Sequence, residues 1–424
     1  MRALFKTRNY RLLFAGNLVS QIGSALYNFG ISWFILSFTG STLQAGIYLG
    51  FAGIFQILLV PFLSVYADRW HKGKILVITD VIRGVVILAA GAILWQYQSP
   101  EIVLPTLYIT AFVIAVNHAL FTPAVSAIIP EIVPDTLLQQ AYSVNSFINS
   151  IQQLVGVLLA GVLYSLLGIV GIFVVNGVSF ILSAISELWI RLDHTSHTSD
   201  KSVAQYFRDL SGGIRYVTDK DGLVGMFMLI ILLNFAVAPI FSNIHPYVFN
   251  LVLNKPPIHL SLVSVAFSIG AILGGLLVGT IGLKASIKRS MRMGLISFYA
   301  LLMVHHALIV LVVLDRIEYA VFLMSILAIA FVIAVANMWI NIPFNTGLTR
   351  AVDAAYRGRV MGLISTLAQG LIPVAIFMTG LLLELLTLPV VLLIFAGIGL
   401  LPVLLFVRSK SVNQLLESLK NAPS

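Results

Sequence analysis

The 424-residue chain has no cysteine, which excludes disulfides, thiolate catalysis and cysteine-ligated metal. Charge is scarce too: 10% of residues are Asp, Glu, Lys or Arg, against about 25% in a soluble domain. Most of the surface therefore cannot face water. There is no phosphate-cradling GxxxxGK[ST] loop, no HExxH pair and no Ser in a nucleophile-elbow setting. These absences argue against an ATP-driven pump acting alone, a zinc hydrolase and a serine hydrolase. No residue pattern calls for a cofactor or a metal, and an enzyme is not expected.

What is abundant is apolar sequence, 59% of all residues. Runs of roughly 20 apolar residues, long enough to cross a bilayer, recur along the whole length. The short alternating segments of a membrane β-barrel are missing. The expected fold class is an all-α polytopic membrane protein. Twelve spans are predicted, at 12–38, 43–66, 75–95, 104–129, 140–166, 169–190, 223–250, 260–283, 290–313, 319–343, 358–385 and 388–407. The net charge of +9 does not indicate nucleic acid, because of where the charges fall. With the N-terminus inside, every one of the 25 Lys and Arg except Lys255 and Arg316 lies on the cytoplasmic side. The positive-inside rule demands that bias, and a basic face suits the anionic inner leaflet. Both termini are expected in the cytoplasm of a cell (plasma) membrane, with no cleavable signal ahead of the first span.

Most loops are short. The exception, 191–222, begins with polar sequence and continues into 203–217, which patterns as an amphipathic helix on the membrane surface. It is the natural cytoplasmic linker between an N-terminal six-helix bundle, 1–190, and a C-terminal one, 223–407, followed by a cytoplasmic tail, 408–424. Asn117 to Pro123 and Asn337 to Pro343 share an Asn-x5-Pro spacing at an offset near half the chain. The same offset carries Asp68 onto Lys288 in the basic 8–9 loop, as a duplicated unit would.

The segment Ser64–Arg83, SVYADRWHKGKILVITDVIR, puts a basic hairpin between two apolar runs. Ala67, Asp68, Arg69 and Lys72 match the hairpin motif Gly-x-Leu-Ala-Asp-Arg-x-Gly-Arg-Lys. Ser64, Tyr66 and His71 depart from it, and Gly73 and Lys74 displace its paired basic end. With twelve spans and a central linker, the chain resembles the major facilitator superfamily. Asp80-x-x-Arg83, Gly358–Ser365 and Leu163–Ser165 resemble the branch of macrolide-efflux and siderophore-export permeases. The Gly-Pro signature of efflux relatives is incomplete, since no Pro follows Gly156. The resemblance implies two six-helix pseudo-repeats, alternating access and a bacterial, monomeric secondary transporter. It also implies a cytoplasmic gate of Asp68, Arg69, Lys72, Asp80, Arg83, Arg357 and Arg359. Asp68 could accept hydrogen bonds from Arg69 or Arg83, or face the N-terminus of span 11, where free N–H groups favour a carboxylate. The alternative is that the loop only holds orientation.

Inside the membrane, spans 1, 4, 7 and 10 carry no deep Asp, Glu, Lys or Arg. Uncharged amides form stripes instead. Asn17, Gln21, Ser24 and Asn28 share a face of span 1; Asn145, Asn149 and Gln152 do so in span 5; Asn337, Asn341 and Asn345 in span 10. Asn234, Ser242 and His245 lie on one side of span 7, Ser365 and Gln369 add a stripe in span 11, and Asn117 and His118 of span 4 join the pathway set. Interhelical hydrogen bonding is one reading; five stripes together favour a polar substrate pathway. Tyr27, Phe29, Trp33, Tyr48, Phe121, Phe241, Trp339 and Phe344 stand among them and suit an apolar or amphipathic organic molecule. Proton-coupling candidates are His118, His245 and Asp80, with His305, His306, Glu187 and Glu384 as further options. The expected activity is efflux of drug- or macrolide-like small molecules by proton antiport. An importer or lysophospholipid flippase is the alternative, and a membrane sensor or enzyme the alternative of another class.

Overall fold

The structure is a computed structural model that describes residues 4–191, 203–280 and 286–418. Among them, eleven helices are long and apolar enough to cross a membrane. Spans 1 to 4 are Arg8–Thr39, Thr42–Arg69, Lys72–Gln96 and Pro100–Ile132. One continuous stretch, Asp135–Glu187, runs 53 residues. At 1.5 Å per residue that is about 80 Å, far more than the ~30 Å hydrocarbon core, so it holds spans 5 and 6. Gly168, at φ 63, divides them; only glycine takes that conformation readily. Span 7 is Leu223–Val252, span 8 Pro257–Thr280, span 9 Ile287–Val313, span 10 Tyr319–Ala351, span 11 Arg357–Leu385 and span 12 Leu388–Arg408. That makes twelve crossings, as expected.

Two irregularities have local causes. Span 11 is interrupted at Leu371, because Pro373 has no N–H to give the carbonyl of Gln369. Span 7 widens into π turns at Ile240–Ile244 and Val248–Val252, flanking His245–Tyr247 and close to Pro239 and Pro246. Such bulges leave backbone groups free and recur at functional sites.

The helices form two compact units. The first comprises Met1–Gly40, Tyr48–Tyr206 and Pro256–Ser261. In it span 6 lies between spans 1 and 3 at van der Waals range. A Cβ on Gly23 would meet Ser179 and Asn176, one on Gly84 would meet Ile181, and one on Gly91 would meet Phe173. Small residues let membrane helices approach this closely, and dispersion then holds them. Leu13, Leu76, Phe121, Ile128 and Val144 build its apolar core. The second comprises Ser41–Ile47, Phe207–Lys255 and Leu262–Ser424. There Gly270 and Gly274 seat span 8 on the backbone of Phe331 and Val335 in span 10. The 203–217 expectation corresponds to a helix at Val203–Asp219. Within the tail, Lys410–Ser418 is helical, buries Val412 and Leu416, and joins Glu417 to Lys288 at 2.6 Å.

Candidate functional site

Spans 4 and 10, which carry the Asn-x5-Pro repeats, are each 33 residues long and run through their prolines. The entries to spans 3 and 9 are also alike. His71 accepts from the Lys74 amide at 3.3 Å, and Ser286 accepts from the Arg289 amide at 3.2 Å. His71, a departure from the hairpin motif, thus serves as the N-cap of span 3. Lys72 pairs with Glu131 at the end of span 4. The side chains of Asp68 and Arg69 lie outside the described residues.

Arg83 is buried among spans 3, 4 and 6. Its Nη1 is 3.3 Å from Asp80 Oδ1 one turn away, and its Nη2 donates to the Asn117 carbonyl at 3.1 Å. Its guanidinium carbon stands 4.4 Å from the Phe121 ring centre and 5.2 Å from that of Phe180. Glu187 of span 6 lies beside both charges. All three groups are sealed: relative exposure is 0% for Asp80, 5% for Arg83 and 2% for Glu187. An ion cluster joining spans 3, 4 and 6 is therefore present where the sequence shows only Asp80-x-x-Arg83. His118 lies beside Arg83, and its two ring nitrogens are 3.1 and 3.2 Å from Gln56 Nε2 on the exposed side of span 2.

The pathway candidates split by surroundings. Tyr27 and Trp33 are buried, Tyr27 sharing a 3.1 Å hydroxyl bond with Tyr48 and Trp33 stacking on Phe29. Asn17 is buried and donates to Asn145 at 3.4 Å. Gln21 and Gln152 are half-buried, while Asn28 and Asn149 are exposed on the first unit. In the second unit Asn234 donates to the Ala368 carbonyl at 3.3 Å, and Asn341 donates to the Asn337 side chain at 2.8 Å. Gln369 is exposed and reaches Ser365 at 3.4 Å. The amides therefore do both jobs, some tying helices together and some meeting solvent. His245, between the π turns, faces His305 of span 9 with Nε2 to Nε2 at 2.7 Å, both buried. His305 is one of the further options in the sequence, but the 60-residue separation conceals its pairing with His245. Among the described residues no group of three or more His, Asp or Glu is placed to hold a metal ion.

The loop between spans 10 and 11 is clamped to the helix Val203–Asp219. Arg359 Nε lies 3.0 Å from Asp209, the Tyr216 and Tyr356 rings stack at 4.5 Å, and Tyr216 Oη accepts from the Asp353 amide at 3.0 Å. Arg357 opens span 11 beside them. Lys220 reaches both Tyr216, at 2.9 Å, and Asp353, at 3.4 Å. Hydrogen bonding with Tyr216, then the Lys220 ammonium, holds the Asp353 carboxyl below its usual value. Partial burial alone would lower Lys220, but Tyr216 and Asp353 outweigh it and hold Lys220 above its usual value. A depressed acid stabilises the clamp above its ordinary pKa, about 3.9, and releases it as pH falls through the lowered one. A raised amine stabilises it below about 10.4 and releases it as pH rises through the raised value. Protection of 209–219 amides from hydrogen exchange should therefore be flat between those limits and fall outside them. Asp353→Asn should abolish the acid limb, and an unchanged acid limb would show that this carboxylate does not hold the clamp.

Residues 13–376 match the Major Facilitator Superfamily. The chain belongs to the major facilitator superfamily. Within that superfamily it is 25% identical over 388 residues to the macrolide efflux protein A of Streptococcus pyogenes, covering 89% of this chain and 90% of that one. It is 27% identical over 195 residues to the staphyloferrin A transporter of Staphylococcus aureus, covering 45% and 46% of the two chains. The crystal structure of a bacterial homologue of the iron transporter ferroportin, in an inward-facing state, superposes with a TM-score of 0.75 at 16% identity, over 95% of this chain and 99% of that one. The major facilitator fold of twelve helices is thus the fold of this chain, and the protein is a multi-pass membrane transporter whose matched relatives are transporters and not enzymes.

Proposed function

We propose that this transporter exports apolar or amphipathic small molecules by alternating access, in exchange for protons. The observation that carries the reading is its end-to-end similarity to a macrolide efflux protein. Two features support it: spans 1, 4, 7 and 10 carry amides and aromatics and no deep Asp, Glu, Lys or Arg, and exposed Asn28, Asn149 and Gln369 offer neutral hydrogen-bonding groups to a passing solute. A cargo recognised this way is large and mostly apolar, with a few polar atoms. In this reading two six-helix halves, 1–190 and 223–407, rock around the pathway. The basic hairpin lies on the cytoplasmic side with Asp68 as its latch, and the chain works as a monomer.

Purified protein in liposomes, with and without an imposed pH gradient, tests this against erythromycin, ethidium, a siderophore and a lysophospholipid. Gradient-driven movement of erythromycin or ethidium is the expected result, and Asp68→Asn should slow it without loss of folded protein. Movement of none of the four would overturn the reading. Movement of lysophospholipid alone would replace it with a flippase.

A further inference from the structure

The ion cluster of the first unit does not balance. It brings together two carboxyl groups, Asp80 and Glu187, and one guanidinium, Arg83, all at or below 5% exposure. Arg83 is committed to Asp80, to the Asn117 carbonyl and to two aromatic rings. Among the described residues no amide or guanidinium donor reaches either oxygen of Glu187, and the adjacent Ser183 hydroxyl, which lies against both carboxyls, has one proton to give and can serve only one of them. A buried carboxylate without a cation of its own is among the costliest groups a protein interior can hold, and one bound proton removes that charge. Spans 3 and 6 approach closely one turn beyond Asp80, where Gly84 and Gly177 face each other's carbonyls.

We infer that Asp80 and Glu187 form a carboxyl pair that binds one proton, the coupling ion of the transporter, with Arg83 as its fixed counter-charge. The cluster then carries no net charge when loaded and one negative charge when empty, the proton being taken from hydronium in bulk water, which is left as water, and returned to water on release. Other titratable groups facing the pair are few. Span 3 supplies Arg83 and span 4 supplies His118, beside Arg83 and in contact with exposed Gln56. Span 1 presents Gly16 to Ser183, and the Leu12 carbonyl accepts from Ser186. Asp80 was already a coupling candidate from the sequence; Glu187, 107 residues further along, supplies the second carboxyl that makes the site hold a proton instead of an ordinary ion pair. His118, in contact with exposed Gln56, is the group through which the proton would exchange. The coupling role rests on the antiport reading; the bound proton does not.

Infrared difference spectroscopy of the purified full-length protein tests the site directly. Wild type should show a protonated-carboxyl C=O band at neutral pH. Glu187→Gln and Asp80→Asn should each abolish it, because either leaves one carboxylate balanced by Arg83. Glu187→Asp should retain it. A band that is absent from wild type, or that survives both carboxamide variants, would overturn the proposal; since both are isosteric, each is first checked for a monodisperse, cooperatively unfolding sample. In liposomes, Glu187→Gln should lose the dependence of ethidium efflux on the pH gradient, and Glu187→Asp should restore it. Loss of the band with gradient-driven efflux intact would overturn the coupling role. If wild type moves neither ethidium nor erythromycin, the export reading fails and the bound proton still stands or falls on the infrared result.

Discussion

Arg83→Met should lower stability by about 3–5 kcal/mol, the usual consequence of removing one partner from a buried ion cluster. Two carboxyl groups would remain in a sealed site with no cation, and the Asn117 carbonyl would lose its donor. The guanidinium's position over Phe121 and Phe180 would be lost as well, at roughly 1–2 kcal/mol for a desolvated cation–π contact. Methionine fills a similar volume, so cavity formation is a minor part of the effect. The decisive comparison is with the triple variant Arg83→Met, Asp80→Asn, Glu187→Gln, which has no buried charge. It should unfold well above the single variant, since a neutral cluster carries no uncompensated ion. The gap between the two should narrow as pH falls and the carboxyls of the single variant take up protons. Thermal unfolding in detergent across that pH range measures this. An Arg83→Met protein as stable as wild type would show that Arg83 is not the counter-charge.

How much of this could be read from residues alone depends on distance along the chain. The apolar runs gave span 1 as 12–38, and the helix is Arg8–Thr39, because crossing a bilayer sets both length and composition. The reading of span 10 stopped at Pro343, whereas the helix continues to Ala351. Proline removes one backbone bond, which a membrane helix tolerates when neighbours take up the freed carbonyl. The helix Val203–Asp219 was legible from its two-faced pattern, but its partners were not. Asp209 and Arg359 are 150 residues apart, and nothing local in either signals the other. The same holds for Glu187, an isolated acid near a helix end until folding packs it beside Asp80. Gly84 and Gly177, which force that approach, look in sequence like any of the chain's 32 glycines.

The second large effect is expected at the junction of spans 2 and 11. A Cβ on Gly380 would lie 2.5 Å from the Thr42 carbonyl oxygen and 2.9 Å from Gly46 Cα. Both obstacles are backbone, so no side chain can swing aside. Gly380→Leu should therefore cost about 1–3 kcal/mol, as overpacking does, and the cost should appear as separation of the two helices. Beside this contact, Glu384 Oε2 accepts from the Ser41 and Thr42 hydroxyls, each at 3.1 Å, and from the Leu43 amide at 3.3 Å. It caps the start of span 2 from span 11, and the Thr42 hydroxyl shares its one proton between Glu384 and the Gly380 carbonyl, 3.0 Å away. Pushing the backbones apart breaks this set together, because every member depends on the same approach. Glu384→Gln keeps the shape and weakens only the charge-assisted bonds, so it should be milder. The absence of native cysteine makes the readout direct, since Ser41→Cys introduces the one thiol of the chain. Its labelling by a polar maleimide should be slow alone, faster with Glu384→Gln and fastest with Gly380→Leu. Equal rates in all three would mean that the close approach does not hold these helices together.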